Sequence, residues 1–423
     1  MNSPYHRTFP KFNLVRLLRT VFDPQPGERI AILIDLPDPR MVQAWTFRQD
    51  PALSVQRHAF EVFHLGLNEG GMQELGLKGG DFFAYQVTGG SNLDLPETVI
   101  EPNGDTLSLE KDIYPNYDII LCISTFSATA PLTAMAKKHG FRGATLHGLN
   151  PIILETGLAV DYNEVSREAE KLRLAMTRAD WVEIDYEVAV PAEEEPLATC
   201  TLRLLLNGQE AQKSHGMCRG KTPDVANLPA GEVYFVPEGA EGQFPMRYED
   251  GTLGLMHVTG GRIARAELLR GNPKTVEDHN TKLVTDPVTG ELGELGFGTQ
   301  DLPPSGKDIQ DEKILGTLHV ATGRSDHLGG HLTPELFANK KNATHDDILF
   351  APIKTPEINV PQVRLHRDGV THVVLENYLV APYLAEAMGL APGKQAGAGL
   401  TQRAGRAAAL AAMAATEPVP AGV

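Results

Sequence analysis

Cysteine is scarce in this chain. The three in 423 residues, Cys122, Cys200 and Cys218, stand apart without CxxC spacing, which excludes a disulfide framework and a thiolate zinc site and fits a reducing compartment. Positive charge is short as well: 38 Lys and Arg face 54 Asp and Glu, a formal net charge of -16, and no basic run interrupts the deficit. Nucleic acid and anionic membrane are therefore not expected as partners, because both call for clustered cations. No apolar run approaches the roughly 18 residues that span a bilayer. The first residues also lack the cationic, apolar and small-residue succession of an export signal. The expectation is a soluble cytoplasmic protein with a small-molecule substrate. Nucleophile and phosphate motifs are missing too. No Gly-x-Ser-x-Gly elbow occurs, Cys218 in His215-Gly216-Met217-Cys218 has no evident third partner, and Gly70-Gly71, Gly79-Gly80 and Gly89-Gly90 form neither GxGxxG nor a Walker pattern.

What is present divides the chain. At about 150 residues per domain the length suggests two or three. The first half alternates: strand candidates at Arg29 to Leu36, Tyr117 to Ser124 and Trp181 to Val188, helix candidates at Ala130 to His139 and Asn163 to Arg178. This is the rhythm of an α/β domain with a parallel sheet, expected over residues 1–194, with Asn68 to Asp112, rich in Gly, Asn and Asp, as excursions. The acidic, proline-flanked segment Val190 to Pro196 marks a boundary. Beyond it short β pieces dominate, including Thr199 to Leu206 before the hairpin signal Asn207-Gly208, Val233 to Val236, Gly254 to Val258 and Ile263 to Leu269. They predict a β-rich α+β domain over 195–395 that binds metal, and an alanine-rich tail over 396–423.

The chemistry concentrates in that second domain. His319 lies in Gly-Thr-Leu-His-Val-Ala-Thr-Gly, and His345-Asp346-Asp347 enters the apolar run Ile348 to Ala351. A strand sends alternate side chains to one face, so His345 and Asp347 point together while Asp346 faces away. Two imidazoles and a carboxylate suit one cation. Glu232 and Glu294 each sit beside a glycine and before an apolar run, and Glu312 lies in Asp311-Glu312-Lys313, a triplet of the kind common on surfaces. Each has an ordinary alternative: His319 as a core histidine, His345-x-Asp347 as a solvated turn after Asn339-Lys340-Lys341-Asn342, the glutamates as edge or turn residues. Together they exceed what one closed tetrahedral site needs, which allows two metals or one metal plus a carboxylate base, and argues against a binding protein with a merely structural ion.

In order, Gly231-Glu232-Val233 with Pro237, Leu292-Gly293-Glu294, Glu312, His319 to Gly323 and His345-x-Asp347 resemble the metal-binding residues of the aminopeptidase T family of metallopeptidases. The N-terminal half resembles it more loosely. The resemblance implies an N-terminal α/β domain, a C-terminal metal domain and a homodimer or larger homo-oligomer. It also implies His319, His345, Asp347, Glu232 and Glu294 as ligands of one or two divalent ions. Manganese is the first choice, with zinc, cobalt or iron as alternatives. Relatives of that family include iron-dependent dihydroxypyridine ring-cleaving dioxygenases and a manganese-dependent 5-nitroanthranilic acid aminohydrolase. The dioxygenase pattern lacks acids equivalent to Glu232 and Glu294, so their presence leans toward water as nucleophile. Two departures stand against a plain peptidase: Asp326 occupies the place of the peptidase tyrosine, seven residues after His319, and the Glu312 to His319 gap is two residues longer. The expectation is therefore a metal-dependent hydrolase that removes the amino group from a small amino-aromatic acid. Its catalytic carboxylates would be among Glu232, Glu294 and Glu312, and Arg324 would bind the substrate carboxylate. The alternatives are an aminopeptidase and an iron-dependent ring-cleaving dioxygenase.

Overall fold

The computed structural model describes residues 7–190 and 195–390; the alanine-rich tail over 396–423 lies outside the described residues. The strand Arg29–Leu36 forms as its apolar run predicts and is buried on both faces. Ile30, Ile32 and Ile34 pack with Leu17, Leu18 and Val21 of the helix Leu14–Phe22. Ala31 and Leu33 pack with Leu132 and Ala136 of the helix Thr129–His139 on the other side. A central parallel strand covered by helices on both sides must read as continuous apolar sequence, and this one does.

The strand lies within a seven-stranded sheet ordered Val225–Asn227, Arg142–Thr145, Ile119–Ile123, Arg29–Leu36, Lys78–Gln86, Thr98–Ile100, Thr106–Ser108. The first five run parallel, and each of the last two pairs antiparallel with the strand before it. Lys78–Gln86 corrects the reading of 68–112 as mere excursions, since it is the neighbour of the central strand. Its opening, Lys78-Gly79-Gly80-Asp81, hides it: Gly79 has φ +86°, and a Cβ there would stand 2.7 Å from the Ile30 carbonyl oxygen.

Two antiparallel sheets make up the rest. One has eight strands, ordered Arg262–Arg270, Leu253–Thr259, Gly239–Arg247, Ala198–Leu205, Trp181–Val188, Ile358–Arg367, Val370–Glu376, Leu379–Val380. Trp181–Val188 therefore does not continue the parallel rhythm as its sequence suggested, and its alternating burial is that of a sheet with one face covered. Along its whole length it pairs antiparallel with Ala198–Leu205. The Asn207-Gly208 turn forms with φ of 49° and 76°. The next strand, Gln212–Ser214, crosses to the third sheet instead of closing a hairpin.

That third sheet has five strands, ordered His345–Phe350, Leu318–Gly323, Leu292–Gly298, Glu232–Phe235, Gln212–Ser214. Val233, Phe235, Leu295, Phe297, Leu318, Val320, Ile348 and Phe350 share a core with Ile184, Tyr186, Leu202 and Phe244 of the eight-stranded sheet. Each such fully buried side chain contributes about 1.5–3 kcal/mol, so the period of two fixes the register of these strands firmly. The helix Tyr162–Met176, capped by Asp161, ties the parts together: Tyr162 and Val165 join one core, Leu172 and Met176 the other. The architecture is thus mixed α/β, one sheet largely parallel and two antiparallel.

Candidate metal centre

Because alternate residues of the five-stranded sheet enter the core, those between them must share the opposite face. They include Glu232, Glu294, His319, His345 and Asp347. Glu294 and Asp347 both pair with Ala321, one on either side, and His319 pairs with Gly296. A Cβ at Gly296 would stand 2.1 Å from Cε1 of His319, so the imidazole lies where only a glycine leaves room. Asp346, on the other face of its strand, bonds Thr344.

The donor atoms converge. Nε2 of His345 lies 2.9 Å from Glu294 Oε2 and 3.3 Å from Asp347 Oδ1. Nε2 of His319 lies 3.6 Å from Glu294 Oε1, 3.9 Å from Asp347 Oδ1 and 3.9 Å from Glu232 Oε2. Two compact groups result, Glu232 with Glu294 and His319, and Glu294 with His345 and Asp347, each with donor atoms within 4.8 Å. Nδ1 of His345 is 2.6 Å from the Arg324 carbonyl oxygen, which turns Nε2 toward the carboxylates as a ligating imidazole requires. Burial alone would lower the imidazole pKa values. The surrounding carboxylates outweigh it, raising His319 to about 10 and His345 well above its ordinary value. Burial likewise pushes Glu294 up, and the two histidines overcome it and hold the carboxyl low. Protons thus occupy the place of a cation. Nitrogen and oxygen donors at these spacings, one imidazole anchored from behind, fit a divalent ion that would displace those protons.

The triplet at 311–313 is not a surface feature. Asp311, Glu312 and Lys313 are 2%, 4% and 1% exposed. Nζ of Lys313 donates to Glu232 Oε2 at 2.7 Å and to Glu312 Oε1 at 2.6 Å. Burial, only partly offset by Lys313, pushes the Glu312 carboxyl up to about 8. Asp311 instead accepts from the Ser305 and Gly306 backbone and holds the turn that presents Lys313. The apolar residues on both sides, Ile309 and Ile314-Leu315, were the available sign of burial.

The polar face looks onto the carboxyl ends of the parallel strands, where α/β sheets bind ligands. A cavity of about 180 Å³ lies between them, lined from the parallel sheet by Ser91, Asn92, Ser127, His147 and Asn227. A wider one of about 840 Å³ shares Ser91, His147, Glu312, His345 and Asp347 with it. His147, two residues past the strand Arg142–Thr145, escaped the sequence reading because nothing local distinguishes it. Burial lowers it to about 4, and its Nδ1 is buried without a hydrogen-bond partner. Tyr234, on the strand that carries Glu232, also lines the smaller cavity.

No family model matches the chain, and no curated protein matches it. Its fold is similar to a solved one. The structure of a 2,5-dihydroxypyridine dioxygenase from Pseudomonas putida KT2440 superposes with a TM-score of 0.53, over 84% of this chain and 92% of that one, at 13% identity. At that identity the likeness is one of fold.

The structure therefore brings Glu232, Glu294, His319, His345 and Asp347 onto one face, with Glu312 joined through Lys313. Arg324 stands behind them: its guanidinium bonds Asp326, Asp94 and the Asn92 carbonyl, fastening the loop after Lys78–Gln86 to the ligand sheet. Asp326, seven residues after His319, is one of these partners. Among the described residues no helix is long and apolar enough to cross a membrane.

Proposed function

We propose that this protein is a metal-dependent enzyme of the aminopeptidase T-like superfamily that opens a small hydroxylated aromatic ring with dioxygen. The observation that carries the reading is the position of Asp347 Oδ1, 3.3 Å from Nε2 of His345 and 3.9 Å from Nε2 of His319. Two imidazoles and one carboxylate, with the carboxylate side chain 30% exposed beside a cavity, form the donor set of a non-haem iron oxygenase. The fold likeness to a dihydroxypyridine dioxygenase supports the same choice. This favours the oxygenase over the hydrolase expected from the surplus glutamates.

When bound, ferrous iron would supply a charge at which ring oxygen and dioxygen meet. The chain's own residues do the rest. Glu294 holds both histidines in place. His147, uncharged at neutral pH, accepts a proton from a ring hydroxyl. Ser91, Asn92 and Asn227 bond the ring's polar edge, and the narrow polar cavity admits a single ring more readily than a peptide. Hydrolytic removal of a ring amino group is the second reading, because Glu232, Glu294 and Glu312 supply buried carboxylates beyond the two-histidine, one-aspartate set. Purified protein loaded with ferrous iron is offered 2,5-dihydroxypyridine, 5-nitroanthranilate and an aminoacyl anilide, with and without oxygen. Oxygen uptake matched to loss of ring absorbance is expected; anoxic ammonia release, or anilide cleavage, would overturn the oxygenase in favour of a hydrolase.

A further inference from the structure

The two donor groups share Glu294, the outline of a site for two ions bridged by a glutamate. We propose that a single ion binds, held by His345 and Asp347 with His319 reaching it from the other group, and that the ammonium of Lys313 is a cation built into the chain that stands in for a second. The inference deepens the proposed metal-dependent function and rests on it.

One oxygen atom decides between one ion and two. Glu232 Oε2 is the oxygen that approaches His319, at 3.9 Å, and so the one a second ion would need. The same oxygen receives Nζ of Lys313 at 2.7 Å. An ion bonded to it would lie close to an ammonium that is 1% exposed and held on its other side by Glu312 at 2.6 Å. Like charges at such separation in a buried setting repel strongly, and the lysine cannot leave, because its neighbours Glu312 and Ile314 are buried with it. Charge balance agrees. Lys313 already gives Glu232 and Glu312 a cationic partner, and one divalent ion then serves Glu294 and Asp347. Surplus acids that suggest two metals in the sequence are thus already matched by a residue of their own chain.

The test is manganese stoichiometry and electron paramagnetic resonance on metal-free full-length protein and its Lys313→Met variant, both dialysed against manganese(II). The expected result is one ion per chain with an uncoupled six-line signal in the wild type, and two per chain with an exchange-coupled signal in K313M. Two coupled ions in the wild type, or one in both proteins, would overturn the inference while leaving a metal site standing. No bound manganese in the wild type would remove the metal reading and the inference together. Should K313M fail to fold, Glu232→Gln decides with the wild-type count: manganese affinity within about twofold of wild type is expected, and a tenfold loss would make Glu232 a ligand.

Discussion

The largely parallel sheet and the five-stranded antiparallel sheet face each other across one cavity and contribute to it in opposite ways. In the first, Arg29–Leu36 is apolar on both sides, and the cavity is reached from beyond the strand ends, by His147 and Ser91, and from the short edge strand Val225–Asn227. In the second, one face is as apolar as any core, and the other carries Glu232, Glu294, His319, His345 and Asp347. A sheet buried on both sides supplies a frame and adaptable loops. One buried on a single side can fix several charged groups in register, which a metal centre needs.

Substitutions should separate the two roles. The largest effect is expected for His345→Ala and Asp347→Ala: metal is lost and turnover falls by at least about a thousandfold, with the melting transition retained because the apolar face is untouched. Metal analysis with calorimetry checks this, and full metal content in either variant would refute the site. Ile32→Ala, in the parallel sheet, should do the reverse, costing about 2–5 kcal/mol in denaturant unfolding while metal stoichiometry stays the same. His147→Ala should lower kcat about a hundredfold with metal retained, since it removes a proton acceptor and no ligand. Gly296→Ala should weaken metal binding about tenfold or more by displacing the His319 imidazole, as isothermal titration would read.

The smallest effect is one of pH on the metal-free protein. His319 has an ordinary pKa of 6.5 and is held at about 10, so its protonated form stabilises the fold fully below 6.5 and ceases to as pH rises through 10. Glu312, raised from 4.5 to about 8, acts in the same direction between those values, because folding favours its proton. The melting temperature should therefore fall from pH 7 to pH 10 without metal and change less with it, where the ion replaces the protons; an equal fall in both forms would contradict this.

Much of the fold and the site was legible in sequence, for physical reasons. Arg29–Leu36 and the helix Thr129–His139 announce themselves because burial or periodicity fills a continuous window. His345 and Asp347 were readable as a pair because a strand's period of two places them on one face. Lys78–Gln86 was hidden by the glycines its close approach to Ile30 demands. Lys313 was hidden because an Asp-Glu-Lys triplet looks solvated until its partner Glu232, 81 residues away, is known. His147 belongs to the site only through the packing of one sheet's ends against another's face, which no local pattern encodes.

The most direct test of the account is a crystal of iron- or manganese-loaded protein measured at the metal's absorption edge. One anomalous peak per chain is predicted, within bonding distance of Nε2 of His319, Nε2 of His345 and the Asp347 carboxylate, with Lys313 still on Glu232. A peak elsewhere, or none on this face of the sheet, would contradict it.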